Sequence, residues 1–196
     1  PLKGTLRVDG MVRTAGIKGS DWFVCIGGLS GVAVGDVDRL LNRVGEAVSP
    51  CLFQLFDADL VAGWEHLYFA AVNAVKAFQS GTAVSKSLAI ETLLYASCQD
   101  QIAEAFSILG ISPDTEQVAL LVMAGSPEEA EQAFHQASRL LGVEDDSVLE
   151  VDGEKLERLM RAYSVSDLAL EALGGPRREA LVRLLIERGA LLPARR

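Results

Sequence analysis

An apolar run from Val118 to Met123 is followed shortly by Ser126-Pro127-Glu128-Glu129. The run is short, apolar and bounded by turn residues, as a strand requires. The tetrad is a capping box with proline at the first helical position, and Ala130, Ala133, Phe134, Ala137 and Leu141 continue it at helical spacing up to Gly142. A chain that passes this directly from strand to capped helix is neither all-α nor all-β.

The same alternation runs through the rest of the chain. Trp22 to Ile26, Cys51 to Phe56 and Leu88 to Ala96 read as three more strands, which predicts one small mixed sheet of about four strands. Asp36 is placed to cap a helix carrying Val37, Leu40, Leu41, Val44 and Val48. A second helix carries the stripe Trp64, Leu67, Tyr68, Ala71, Val72, Val75 and Phe78 and ends at Gly81. Ser97 is read as the cap of a helix with Ile102, Ala105, Phe106 and Leu109, closed by Gly110. Beyond the acidic, turn-rich Val143 to Gly153 lie three shorter helices near 154–163, 167–173 and 177–188. No linker, repeat or low-complexity segment breaks the chain, so the expectation is an α+β fold in a single domain over 1–196 with a helical C-terminal part at about 154–192.

Charge limits the partners. The formal net charge is -9, which opposes uniform attraction to nucleic acid or anionic lipid and leaves room only for local cationic contacts. Gln101 to Glu157 holds 13 acids and two bases, whereas Arg158 to Arg196 holds eight arginines and four acids. That basic tail is either the solvated face of a final helix or a docking element. No apolar run approaches the ~20 residues of a membrane span. Residues 1–7 lack a signal-peptide core, so the expected location is cytoplasmic. Cys25, Cys51 and Cys98 are an odd set without a C-x-x-C pair and read as buried thiols.

Catalytic chemistry finds little support. His66 and His135 are the only histidines, and neither has a second histidine at i+3 or i+4 to form a zinc face. There is no G-x-S-x-G elbow. Gly27-Gly28-Leu29-Ser30-Gly31, with Gly35 and Asp36 beyond, lies between a strand and a helix and admits two readings: a flexible loop, or a phosphate cradle at the helix start. It lacks the lysine and Ser/Thr of a P-loop. Asp57 and Asp59 fit a turn and helix cap, or, with a third ligand not evident, a divalent cation. A small phosphate- or nucleotide-using enzyme built on Gly27 to Gly31 and these aspartates is the alternative function. No cofactor is expected.

The stretch from Ser87 to Ile111, with Glu91, Ser97, Ile102, Ala105, Gly110 and Ile111, resembles the central signature of the PRPK-binding protein family, the kinase-binding subunit of the KEOPS complex. The preceding helix, with Ala70, Ala71, Asn73 and Ala74, and the later Arg161-Ala-Tyr163-Ser-Val also resemble it, so the likeness spans about Leu52 to Leu192. One position departs: archaeal-type members tend to have Ser-Gly-x-Arg-Gln-Ile where this chain has Ser97-Cys98-Gln99-Asp100-Gln101-Ile102. An acid replacing a base there weakens or shifts any RNA footprint at that spot.

The resemblance implies a subunit without catalysis of its own. It would bind and regulate the small atypical kinase/ATPase of KEOPS, which makes threonylcarbamoyladenosine in transfer RNA, and help recruit tRNA through its 3′ end. Neither DNA nor membrane is an expected partner. Lys76 and Lys86 are the only lysines or arginines between Arg43 and Arg139 and are the phosphate-binding candidates, with Tyr95 as a base-stacking candidate. The chain's end is the candidate kinase-binding segment: Leu181, Leu184 and Leu185 share a helix face, while Leu191 and Leu192 fall off it.

Overall fold

The structure, a computed structural model, describes residues 7–9 and 12–194. Residues 1–6, which carry most of the leader argument, and the tail arginines Arg195 and Arg196 lie outside that range. In chain order the strands are β1 (Arg7–Asp9), β2 (Val12–Gly16), β3 (Phe23–Ser30), β4 (Leu52–Asp57), β5 (Val118–Ala124) and β6 (Val143–Glu144). The helices are α1 (Val37–Val48), α2 (Trp64–Ser80), α3 (Leu88–Ser97), α4 (Ile102–Leu109), α5 (Pro127–Leu141), α6 (Gly153–Ala162), α7 (Asp167–Leu173) and α8 (Arg177–Ala190). The class is α+β. The chain divides into two compact units, residues 1–58 with 111–148, and residues 59–110 with 149–196.

The first unit is the sheet. Its order is β1-β2-β3-β5-β4, with β6 pairing the end of β3, and every pairing is antiparallel rather than mixed. Alternate residues of β5, Val118, Leu120, Val122 and Ala124, point to one core with Leu40, Val44 and Val48 of α1 and Ala130, Phe134 and Ala137 of α5. Both expected caps form: the Arg39 amide donates to Asp36 at 3.0 Å and the Glu129 amide to Ser126 at 3.2 Å. Burial pushes the Cys25 thiol up to about 12, which leaves it inert at neutral pH. Cys51 is only partly buried.

The glycine-rich segment is not a loop. Gly27 and Gly28 lie inside β3, paired with Leu120 and Ala119 of β5. A Cβ on Gly28 would stand 2.4 Å from Val148 Cγ2 and 2.5 Å from the Asp145 carbonyl oxygen, so glycine is there to admit the Asp145–Val148 backbone. The Asp145 amide donates to the Gly28 carbonyl at 2.9 Å. The cradle therefore loses two of its glycines to the sheet.

At the same edge of the first unit, Glu144 accepts from Ser138 at 2.7 Å and lies 2.8 Å from His135 Nδ1. Burial opposes its charge, but these bonds and the pull of Arg139 outweigh it and hold its carboxyl below the usual range. A carboxyl lowered on folding contributes stability above its unfolded pKa and loses it as the pH falls through its folded pKa. The difference in Tm between the wild type and Glu144→Gln is expected at pH 7 and closes as the pH falls through the carboxylate range. A difference constant from pH 7 to pH 3 contradicts this.

The second unit is helical. The expected third strand, Leu88 to Ala96, is instead α3, and little of it meets solvent: Leu88, Ala89 and every residue from Glu91 to Ser97 are buried. A helix buried on nearly all sides shows no polar face, so its sequence reads like a buried strand. Ser97 ends α3 instead of opening α4, whose N-cap is Gln101. Ser87 caps α3. α2 packs on α3 and α8, and α8 also meets α3, α6 and α7. Leu159, Met160, Tyr163, Leu170, Leu181 and Leu185 are in one apolar cluster.

Candidate functional site

The α2–α3 hairpin of the second unit offers a site at each end. At one end, Ser80 to Ser87 turn the chain, and Glu91, fully buried on α3, accepts from the amides of Val84 at 3.1 Å and Ser85 at 2.8 Å. A carboxylate bound to two loop amides fixes a segment that has no regular structure of its own. Lys86 lies in that loop and Lys76 on the last turns of α2; both are exposed. The sequence-predicted pair is thus brought to one end of the hairpin. Phe78, 37% exposed, follows Lys76 by two residues.

The other end lies about 15 Å away, the length of α3. A groove of about 390 Å³ is lined by Ser97, Cys98, Gln99, Ala162, Tyr163, Ser164 and Arg188. Its walls are the C-terminal ends of α3 and α6 and the last turn of α8. Cys98 (φ 56°) and Ser164 (φ 50°) are both left-handed there. Glycine takes that conformation without strain, and glycine is what the resembled pattern carries at the position of Cys98. Cys98 is held in place by its thiol, which donates to the Leu185 carbonyl at 3.4 Å.

Behind the groove, His66 and Tyr163 join three helices. His66 Nδ1 accepts from the Ala62 amide at 3.1 Å, so Nε2 carries the proton that it donates to the Ala96 carbonyl at 2.8 Å. Burial lowers its pKa to about 4 against the opposing Ala96 bond, so His66 is a neutral strut and not a proton carrier at pH 7. The Tyr163 hydroxyl donates to Leu60 at 3.0 Å, and burial raises its pKa far above the ordinary value. Arg188 Nη1 donates to the Tyr163 carbonyl at 2.7 Å, closing the end of α6. Beyond the groove, α4 exposes Ile102 (40%) and Phe106 (41%).

Other expected residues are placed differently. Tyr95 is 3% exposed, so its ring is core and out of reach of a base. Leu181, Leu185 and Leu192 are buried in the second unit, Leu184 is partly buried, and Leu191 is 60% exposed. Of the leucines read as kinase-binding, three are thus packing residues: Leu181 and Leu185 belong to the unit's own apolar cluster, and Leu192 is buried just beyond α8. The basic tail is also largely committed. Arg158 pairs with Asp59, Arg177 with Asp167 and with Glu157 at 3.3 Å, and Arg183 donates to the Leu173 and Gly174 carbonyls. Asp59 is therefore an ion-pair partner, and among the described residues no cluster of three acids, histidines or cysteines is arranged to hold a metal. No described helix is long and apolar enough to cross a membrane.

Residues 33–190 match the family described as kinase binding protein CGI-121. The chain is 36% identical over 110 residues to the regulatory protein Cgi121 of Methanocaldococcus jannaschii, an alignment that covers 56% of this chain and 67% of that relative. The family match takes in both ends of the α2–α3 hairpin, the groove at one of them included, and α8, and by it the chain belongs to the kinase-binding CGI-121 family.

Proposed function

We propose that this chain is a non-catalytic accessory subunit of a KEOPS-type complex. It binds and regulates the small atypical kinase/ATPase and recruits tRNA through its 3′ end, in the cytoplasm. The observation that carries the reading is the family match over 33–190, which takes in α8 as well as the hairpin. The site chemistry supports it: the two histidines are a buried strut and a partner of Glu144, and the glycine-rich segment is sheet.

For RNA, the hairpin and α4 supply what a single-stranded end needs, cations for phosphate and apolar surface for splayed bases. Lys76 and Lys86 serve the first need. Exposed Ile102 and Phe106, on the helix that follows groove-lining Gln99 in the chain, serve the second in place of buried Tyr95. The kinase-binding role of the chain's end falls to Leu184 of α8 and Leu191 just after it.

The full chain should stimulate or restrain ATP hydrolysis by its cognate kinase and hydrolyse none itself. Lys76→Glu with Lys86→Glu should weaken tRNA binding and reduce the slope of log K against log salt by about 1 for each phosphate that is no longer neutralised, with kinase binding unchanged. An unaltered slope in a folded double variant removes the RNA role of these lysines, and ATP turnover by the isolated chain removes the non-catalytic reading.

A further inference from the structure

α2 turns His66, Leu67, Ala70, Ala71, Ala74 and Val75 inward. Its other side carries an aromatic ridge. Trp64 and Tyr68 stack with centroids 4.8 Å apart and planes 10° apart, and Tyr68 meets Phe69 edge-on at 5.3 Å. Phe69 is 41% exposed. The indole N–H of Trp64 is shielded from solvent and has no hydrogen-bond partner among the described residues.

Two exposed carboxylates flank the ridge. Glu65 follows Trp64 and is one helical turn from Phe69. Glu150 follows Leu149, whose carbonyl oxygen lies 3.9 Å from the place of a Cβ on Gly63, the residue before α2. Neither carboxylate has an ion-pair partner among the described residues, whereas nearby Asp59 does.

We propose that this ridge docks a basic segment of the kinase, an inference that rests on the kinase-binding reading above. An arginine or lysine side chain lies on an aromatic face while its charge meets a carboxylate, and the unpaired Glu65 and Glu150 are placed for that. Trp and Tyr are also the side chains that most often anchor protein interfaces. The docked backbone supplies a carbonyl for the Trp64 N–H after a small rotation of the indole. The same carboxylates repel RNA, and a second copy of a chain of net charge -9 would set like charges against like.

The test measures binding of the full chain to its cognate kinase by calorimetry at low and high salt, with melting curves as the check on folding. Phe69→Ser, at an exposed position, should weaken binding about tenfold. Glu65→Lys should weaken it more at low salt than at high salt, because the attraction it removes is electrostatic. Wild-type affinity in both variants overturns the ridge while leaving the kinase reading intact. So does loss of tRNA binding with kinase binding unchanged, or a wild-type dimer that Phe69→Ser dissociates. A wild-type chain that does not bind the kinase overturns both.

Discussion

Glu91→Ala is expected to destabilise the protein by about 3 kcal/mol, because it strands two loop amides that have no other described acceptor. The charge is fully buried, so its removal also relieves a desolvation cost, and that relief limits the loss. Two unsatisfied amides at about 1–3 kcal/mol each outweigh it. Glu91→Gln keeps an oxygen of the same reach and should recover more than half of the loss. The loop from Gly81 to Ser87 would then be mobile in the alanine variant, and with it Lys86. Urea unfolding gives the stability, and amide exchange at Val84 and Ser85 gives the local effect. Equal stability of the alanine variant and the wild type, or unchanged protection of those two amides, defeats this account.

Part of this architecture was legible from residue order alone. α1 and α5 carry their own boundaries, an aspartate or serine cap in front and a periodic apolar stripe behind, and both caps form as their spacing predicts. β5 was legible because its apolar run is bounded by turn residues. α3 was not, since burial on nearly every side removes the polar face on which helix recognition depends. Gly27 and Gly28 are ambiguous in sequence for another reason. Glycine serves a loop by its freedom and a strand by its lack of a side chain, and only the position of Asp145 and Val148 separates the two.

The candidate site was legible in its residue types more than in their directions. Lys76 and Lys86 are exposed as expected, whereas Tyr95 and three of the five leucines face inward. Helical spacing states that Leu181 and Leu185 share a face but not which neighbour that face meets. The groove of Tyr163, Ser164 and Arg188 against Ser97 to Gln99 joins residues far apart in the chain. Its sequence signals were the Arg161-Ala-Tyr163-Ser-Val motif and Ser97 of the Ser87 to Ile111 signature. The tail arginines read as either a solvated face or a docking element, whereas Arg158, Arg177, Arg183 and Arg188 each hold a carboxylate or carbonyl within the second unit.

Gly189→Ala should destabilise by about 2 kcal/mol, against the usual direction for this substitution in a helix. Helix propensity alone favours alanine by about 1 kcal/mol. Here a Cβ would stand 2.7 Å from the Tyr95 carbonyl oxygen, well inside van der Waals distance, and the obstacle is backbone that cannot turn aside. α8 must move away from α3, and that strain exceeds the propensity gain. The displacement also bears on the groove, because Arg188 and Leu185 of the same helix hold the Tyr163 carbonyl and the Cys98 thiol. Gly189→Val should therefore lose more stability, about 3 kcal/mol, and weaken tRNA binding even at temperatures where it stays folded. Gly153→Ala is the control: it is also helical, at the start of α6, and nothing lies within 4 Å of its Cβ position. It should be neutral or stabilising by up to about 1 kcal/mol. Chemical denaturation of the three variants separates the cases. If both alanine variants shift stability in the same favourable direction, the close approach of α8 to α3 is not what fixes glycine at position 189.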